Sequence, residues 1–287
     1  MIHLENDFLK LTIHEAGTPF YRGTRFDHSG LMESVLWEGT ELAGRWFEHF
    51  DPLIHDCVCG PAEEFGAVGF EDAAPGECFV KPGVGLLLRP DAAPYDRFRL
   101  YEIAAAGEWE FSASESSAKY VQRIPGVYNY TKRIALTGPS GFEIRHAFES
   151  SHPRLRGEMY NHNFWTFNRM QTGPSRRMDF PFRPEGDWRS RYDSVALSGS
   201  GIRFSRELGK GESVFMGNLH KAGESGMPYS LRLSDGDIGI EITGDVPVLR
   251  TVFWANHRVA CIEPYNAFFP GARWTVRYNF SRNPKQA

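Results

Sequence analysis

Apolar and polar residues alternate along most of this chain, and the alternation predicts strands almost from end to end. Ile2, Leu4, Phe8, Leu9, Leu11 and Ile13 sit among polar neighbours over residues 2–15 and read as one or two opening strands, closed by a turn at 16–19. Residues 31–36 and 37–42 read as two strands joined by a glycine-containing hairpin turn. A lysine-bearing apolar segment follows at 77–89. From 97 to 150 the rhythm is regular, with strands expected at 98–103, 108–113, 119–124, 127–136 and 141–149. That span shows no amphipathic helix of ten or more residues. Strands are expected again at 194–197, 201–205, 212–215, 229–234, 237–243, 247–254, 258–263 and 273–280, ahead of a polar, frayed tail at 281–287. Short strands at such spacing make an all-β fold, a large antiparallel β-sandwich. No linker or compositional shift divides residues 1–287, so one domain is expected. Two stretches break the rhythm. Residues 44–66 hold few periodic apolar positions and read as a structured loop, and 168–187 reads as a loop or an irregular strand pair.

Two local conflicts single out candidate chemistry. In Met159-Tyr160-Asn161-His162-Asn163-Phe164-Trp165 a histidine sits at the centre of an aromatic strand, flanked by asparagines that strands disfavour. In Ala260-Cys261-Ile262-Glu263-Pro264 a carboxylate ends an apolar run. Such conflicts concentrate at functional sites. A neutral histidine and a carboxylate form a natural acid–base pair near pH 7. The plainer alternatives are a buried sheet histidine, and a strand-end glutamate paired to Arg258 or Arg273. Asn161 and Asn163 are candidates to orient the imidazole or to donate to substrate oxygens, although alternation points both away from His162 unless a bulge intervenes.

Other polar residues are less specific. Arg25, within the cluster Tyr21–Gly30, is either a substrate contact or the partner of Asp27 in holding a loop. Asp51, His55, Asp56, Glu63 and Glu64 match no metal-ligand spacing, so no metal is expected; Glu63 and Glu64 read better as a carboxylate pair for sugar hydroxyls. Lys81, held extended by Pro82, either reaches into a cleft or is a solvated edge lysine.

Composition then narrows the function class. The aromatic fraction of 14% supplies flat faces on which sugar rings can stack. With 32 basic against 36 acidic residues and no basic face, nucleic acid is excluded as a partner. No run of 18 apolar residues suggests a membrane span. The opening Met1–Asp7 has no signal character, and Cys57, Cys59, Cys78 and Cys261 suit neither a disulfide framework nor a metal site, so a cytoplasmic location is expected.

Asn161-His162-Asn163-Phe164 resembles the Asn-His-x-(Tyr/Phe) strand of the aldose 1-epimerases, the galactose mutarotase-like proteins. Val259-Ala260-Cys261-Ile262-Glu263-Pro264 resembles their Val-Cys-x-Glu-Pro segment, and Phe269-Pro270-Gly271 with the strand ending Tyr278-Asn279-Phe280 resembles their closing turn and last strand. The resemblance implies a galactose mutarotase-like supersandwich that interconverts the anomers of a small-molecule sugar or sugar derivative by acid–base ring opening. It implies Glu263 as general base, His162 as general acid, and no metal or organic cofactor. One departure stands out. The family's second histidine, in a His-Gly segment, falls at Cys59-Gly60 here, so that Glu63, Glu64, Lys81 or His55 would have to take its place. Arg25 loosely matches a sugar-contacting arginine, and Arg25, Lys81 and Arg89 are candidates to hold a phosphate. A non-catalytic carbohydrate-binding protein on the same fold, or a different sugar-modifying enzyme, is the alternative.

Overall fold

The computed structural model describes residues 1–18, 20–168, 171–221 and 228–283. Of the expected turn at 16–19, Pro19 lies outside the described residues; so do 169–170 and the end of the tail, 284–287. Every regular element among the described residues is a β-strand, and every pairing is antiparallel. No described helix is long and apolar enough to cross a membrane.

Two sheets share one long strand, Ile238–Asn256. Its first part, 238–244, pairs with Arg273–Arg282 on one side and Pro228–Asp235 on the other, in a layer that runs on through Gly141–Glu149, Tyr128–Leu136, Ser117–Ile124 and Glu108–Ala113. Its second part, 248–256, pairs with Ala260–Phe268 and Ser213–Lys221. That second layer has the order Pro184–Ser190, Ser213–Lys221, Ile238–Asn256, Ala260–Phe268, Gly157–Phe164, Gly60–Phe65. The sequence reads as two strands here because Gly244 and Pro247 interrupt the pattern, yet the chain stays extended through them and passes from one layer to the other. Register shifts at Pro228/Ser230 and Val248/Arg250 accommodate the bend. The core between the layers draws Ile134, Phe142, Ile144, Ile240 and Tyr278 from one and Met159, Phe253 and Ile262 from the other.

Smaller sheets flank this pair. One contains the hairpin of Met32–Trp37 and Thr40–Glu41, whose two turn residues, Glu38 and Gly39, both have positive φ (46° and 76°). That is the geometry a two-residue hairpin needs to match strand twist. The other has the order Cys78–Lys81, Gly85–Leu88, Ile103–Ala105, with Gly85–Leu88 in the middle. The strand expected at 98–103 shrinks to that last element because Asp96 turns the chain: its carboxylate accepts the Phe98 N–H and its carbonyl the Arg99 N–H. The irregular stretch after 168 contains the strands Arg176–Asp179 and Pro184–Ser190.

The main correction concerns 44–66. It ends in the strand Gly60–Phe65, all six residues of which are buried. A strand buried on both faces has no apolar–polar alternation, and this one carries two glutamates inside. Glu63 faces the sandwich interior. There Lys132 Nζ donates to its carboxylate and to Ser29 O (2.8 Å), and Asn161 Nδ2 donates to Glu63 Oε1 at 3.1 Å. His146 Nε2 lies 3.2 Å from the same oxygen, and Tyr130 and Ser29 donate to the neighbouring Asp27. Burial works against an ionised Glu63, but Lys132 and His146 hold its carboxyl down at about 2.

A lysine that serves two buried carboxylates cannot be removed cheaply. Lys132→Met is expected to destabilise the protein by about 3–5 kcal/mol, with part of the loss recovered in Lys132→Met/Glu63→Gln. Urea unfolding of the three proteins checks this; a single variant within about 0.5 kcal/mol of wild type would remove the network from the account of what holds Gly60–Phe65 in place.

Candidate functional site

Antiparallel register brings His162 to Glu263. Tyr160 pairs with Tyr265, and Trp165 bridges to Ala260; the same register between those points sets His162 directly opposite Glu263 on the neighbouring strand. Their side chains share one face, with His162 Nε2 3.1 Å from Glu263 Oε1. Alternation puts Tyr160 and Phe164 on that face too. His162 stacks on Phe164 at 3.8 Å between ring centroids and meets Phe26 and Trp254 edge-on, each at 5.8 Å. Trp46 continues the stack beyond Phe164.

The pair opens onto a cavity of about 550 Å³, a size typical of small-molecule sites. Aromatic walls come from Trp46, Phe164, Phe215, Trp254 and Tyr265, and the charged lining from Arg25, Arg97, Arg189, Arg250, His55 and Asp56. Arg25 Nε donates to Glu64 Oε2 at 2.6 Å and Arg25 Nη2 to Tyr160 Oη at 3.0 Å. Arg97 Nε lies 3.5 Å from the other Glu64 oxygen, and Arg97 Nη1 donates to Tyr160 Oη at 3.1 Å.

Burial sets the protonation of the pair. It pushes the Glu263 carboxyl up to about 8, with Glu64 adding to the rise and Arg25 and Arg97 opposing it. It pushes the His162 imidazole well below its ordinary value, and Arg25 and Arg97 push the same way. At neutral pH the contact therefore holds one proton between two neutral groups, with the Glu263 O–H donating to Nε2. The other ring nitrogen, Nδ1, is buried and has no hydrogen-bond partner among the described residues.

The other residues singled out from sequence are distributed unevenly. Arg25 lines the cleft. Glu64 lies beneath it, buried, where it anchors Arg25 and Arg97 and does not line the cavity. Glu63 is on the opposite side of the sheet, as alternation along Gly60–Phe65 requires. Asn161 and Asn163 also point away from the cleft, because the strand is regular through them and no bulge intervenes. Asn161 serves Glu63, while Asn163 Nδ2 donates to Ile262 O at 2.7 Å and its Oδ1 accepts from Tyr278 Oη at 2.9 Å. Lys81 is fully buried, donates to Phe65 O and Tyr95 Oη, and sits 3.9 Å from Glu64. Glu63, Glu64, Lys81, Asn161 and Asn163 therefore do not line the cavity, and the bonds they make are to other parts of the protein. Arg89 donates to the carbonyls of Phe70 and Ala73 and does not line the cavity. Cys59 is buried outside the cavity lining, whereas His55 lines it. Among the described residues no three His, Cys, Asp or Glu side chains gather in a way that would hold a metal.

Arg97, Arg189, Arg250 and Tyr265 were not visible as site residues in the sequence. Alternation could have found Tyr265, two residues from Glu263; Arg97 and Arg189 carry no local signal.

No protein-family model matches the chain, and no curated protein matches it. Solved structures do. The Slr1438 protein of Synechocystis sp. PCC 6803 aligns over 98% of this chain and 95% of its own, with a TM-score of 0.56 at 13% identity. A candidate aldose 1-epimerase from Klebsiella pneumoniae subsp. pneumoniae MGH 78578 aligns over 96% and 77%, with a TM-score of 0.51 at 10% identity. At such identities the likeness speaks for the fold: an all-β, antiparallel sandwich of the galactose mutarotase-like kind.

A raised carboxyl pKa has a direct consequence for stability. The folded state binds the Glu263 proton more tightly than the unfolded chain, so this group's contribution is full below about pH 4.5 and is lost as pH rises to about 8. Glu263→Gln abolishes that loss. The variant is expected to gain on wild type as pH goes from 5 to 8.5, by on the order of a few kcal/mol. Urea unfolding at both pH values tests this, and an equal difference at the two would show that Glu263 titrates as an ordinary carboxylate.

Proposed function

We propose that the cleft binds a sugar in its ring form and interconverts the two anomers by acid–base ring opening. The observation that carries this reading is the His162–Glu263 contact, two buried titratable groups 3.1 Å apart at the wall of an aromatic cavity. The Klebsiella protein's name adds support at the level of fold.

Ring opening needs a base to take the proton from the anomeric hydroxyl and an acid to deliver one to the ring oxygen. Glu263 is assigned as the base and His162 as the acid. One proton on the pair is enough. With the proton on His162, opening moves one proton from substrate to Glu263 and another from His162 to the ring oxygen. The C1–C2 bond of the open aldehyde then rotates. Reclosure returns both protons, and the site ends as it began. The resting form, with the proton on Glu263, is the tautomer left after opening. It reaches the starting form when the proton crosses the 3.1 Å contact, a move favoured by a sugar hydroxyl donating to the carboxylate.

One observation favours binding without turnover: Cys59, at the place of the family's second histidine, is buried outside the cavity lining. His55 lines the cavity, which supports it as the side chain that would compensate.

Anomer exchange of free aldoses, followed by NMR, decides between the two. Wild type is expected to exceed the uncatalysed rate, and His162→Asn and Glu263→Gln each to lower kcat/KM by about 10²–10⁴. Rates equal to background with wild type and both variants, on every aldose tried, would leave binding as the function.

The pH profile follows from the one-proton requirement. kcat/KM should fall as pH rises through about 8, where the pair loses its proton, and stay level below that until His162 takes a second. A rate that climbs through pH 8 would mean that ionised Glu263, with neutral His162, is the reacting form.

A further inference from the structure

The cleft is richer in positive charge than its chemistry requires. Four arginines line it, against two carboxylates, Asp56 and Glu263, of which Glu263 holds its proton up to about pH 8. Behind the wall a single buried carboxylate, Glu64, faces three cations, Arg25, Arg97 and Lys81. Arg250 is matched by Glu158, to which its Nη1 donates at 2.7 Å. Arg189 has no carboxylate within ion-pair distance among the described residues; its guanidinium lies over the Phe215 ring, 5.1 Å from the centroid.

Local backbone aims Arg189 at the cavity. Trp188 pairs with Met216 and Ser190 with Phe215, so Arg189 is the extra residue of a bulge. A bulge re-aims a side chain that regular alternation would place elsewhere. The partner strand carries its own irregularity between Met216 and Leu219. Gly217 lies in that interval and the Arg189 guanidinium packs over it: a Cβ built there would stand in ordinary contact with Arg189, 3.6 Å from Nε. Glu263 pairs with Val252, and the register of the next strand sets Val252 beside Gly217. Arg189 therefore reaches the cleft about two strand spacings, roughly 10 Å, from the Glu263 backbone.

Given the sugar-binding reading of the cleft, we propose that its ligand carries an acidic group, carboxylate or phosphate, at the end remote from its anomeric carbon, and that Arg189 receives it. A guanidinium presents paired donors suited to either group. The unbalanced cations of the wall favour an anion over a neutral sugar throughout the cavity.

The test compares D-glucose, D-glucuronate and D-glucose 6-phosphate, in anomer exchange and in calorimetric binding, with wild type and Arg189→Met. Arg189 is exposed, so the variant is expected to fold. One of the two acids should exceed glucose in kcat/KM by about tenfold or more. The substitution should cut that ratio by a similar factor, and added salt should shrink it. Which acid wins identifies the group as carboxylate or phosphate. If glucose is turned over as well as both acids, or if the ratio survives Arg189→Met, this inference falls while anomer exchange stands. If no sugar is turned over, binding decides. Tighter binding of an acid that is lost in Arg189→Met upholds the inference and removes the catalytic reading; equal or undetectable binding of all three overturns the inference as well.

Discussion

Two neighbouring strands, Gly60–Phe65 and Gly157–Phe164, carry polar groups on both faces, and the site exists because strict alternation keeps the two sets apart. Glu63, Asn161 and Asn163 go to the interior; Glu64, Tyr160, His162 and Phe164 go toward the cleft. A slip of one residue would exchange them all, burying His162 among Lys132 and Asp27 and presenting amides to the cavity. Hydrophobic patterning cannot fix the register of strands buried on both sides. The interior polar contacts do so instead. Glu63 accepts from Lys132 and Asn161, while Asn163 is held between Ile262 O and Tyr278 Oη. Each of these bonds is satisfied in one register only, which makes the buried network the determinant of where His162 lies.

The same burial that demands those bonds sets the chemistry across the sheet. Desolvation raises Glu263 and lowers His162, so both groups are driven toward neutrality. Two ionised partners at this depth would each need further hydrogen bonds, and His162 Nδ1 has none. A neutral pair sharing one proton avoids that cost. The second arrangement, with the proton on His162, is an ion pair and carries that cost, which a sugar hydroxyl donating to the Glu263 carboxylate would offset; a reversible opening and closing of a ring can use the exchange between the two.

The fold was legible because most strands have one apolar face, and alternation reports that face directly. Gly60–Phe65 escaped for the complementary reason: buried on both sides with two glutamates inside, it looks like a polar loop. His162 and Glu263 were conspicuous because each contradicts its own strand. The residues around them were not, since their positions depend on which strands become neighbours. Lys81 read as either a cleft-reaching or a solvated edge lysine, but the Cys78–Lys81 strand sits where Phe65 O and Tyr95 Oη enclose it. Arg189 reaches the cavity through a bulge against the adjoining strand, a tertiary fact with no trace in the local pattern. Asn161 and Asn163 show the converse. Alternation alone pointed them inward, and only an irregularity that the strand does not have would have brought them to the ligand.

Arg25 and Arg97 connect these two layers of argument. They are held by Glu64, which the alternation of Gly60–Phe65 sends toward the cleft, and their field acts on both members of the pair. Cations nearby lower the proton affinity of both groups, but they favour ionised Glu263 and disfavour charged His162. For the tautomer with the proton on His162, one effect helps and the other hinders. An anion entering the cavity offsets part of that field, and the offset is largest for whichever group it approaches. A ligand whose anionic end lies on the Arg189 side leaves Arg25 and Arg97 to stabilise the Glu263 carboxylate while softening their repulsion of His162. The arginine excess and the one-proton pair are in that sense one electrostatic arrangement, whose balance depends on what occupies the space between them.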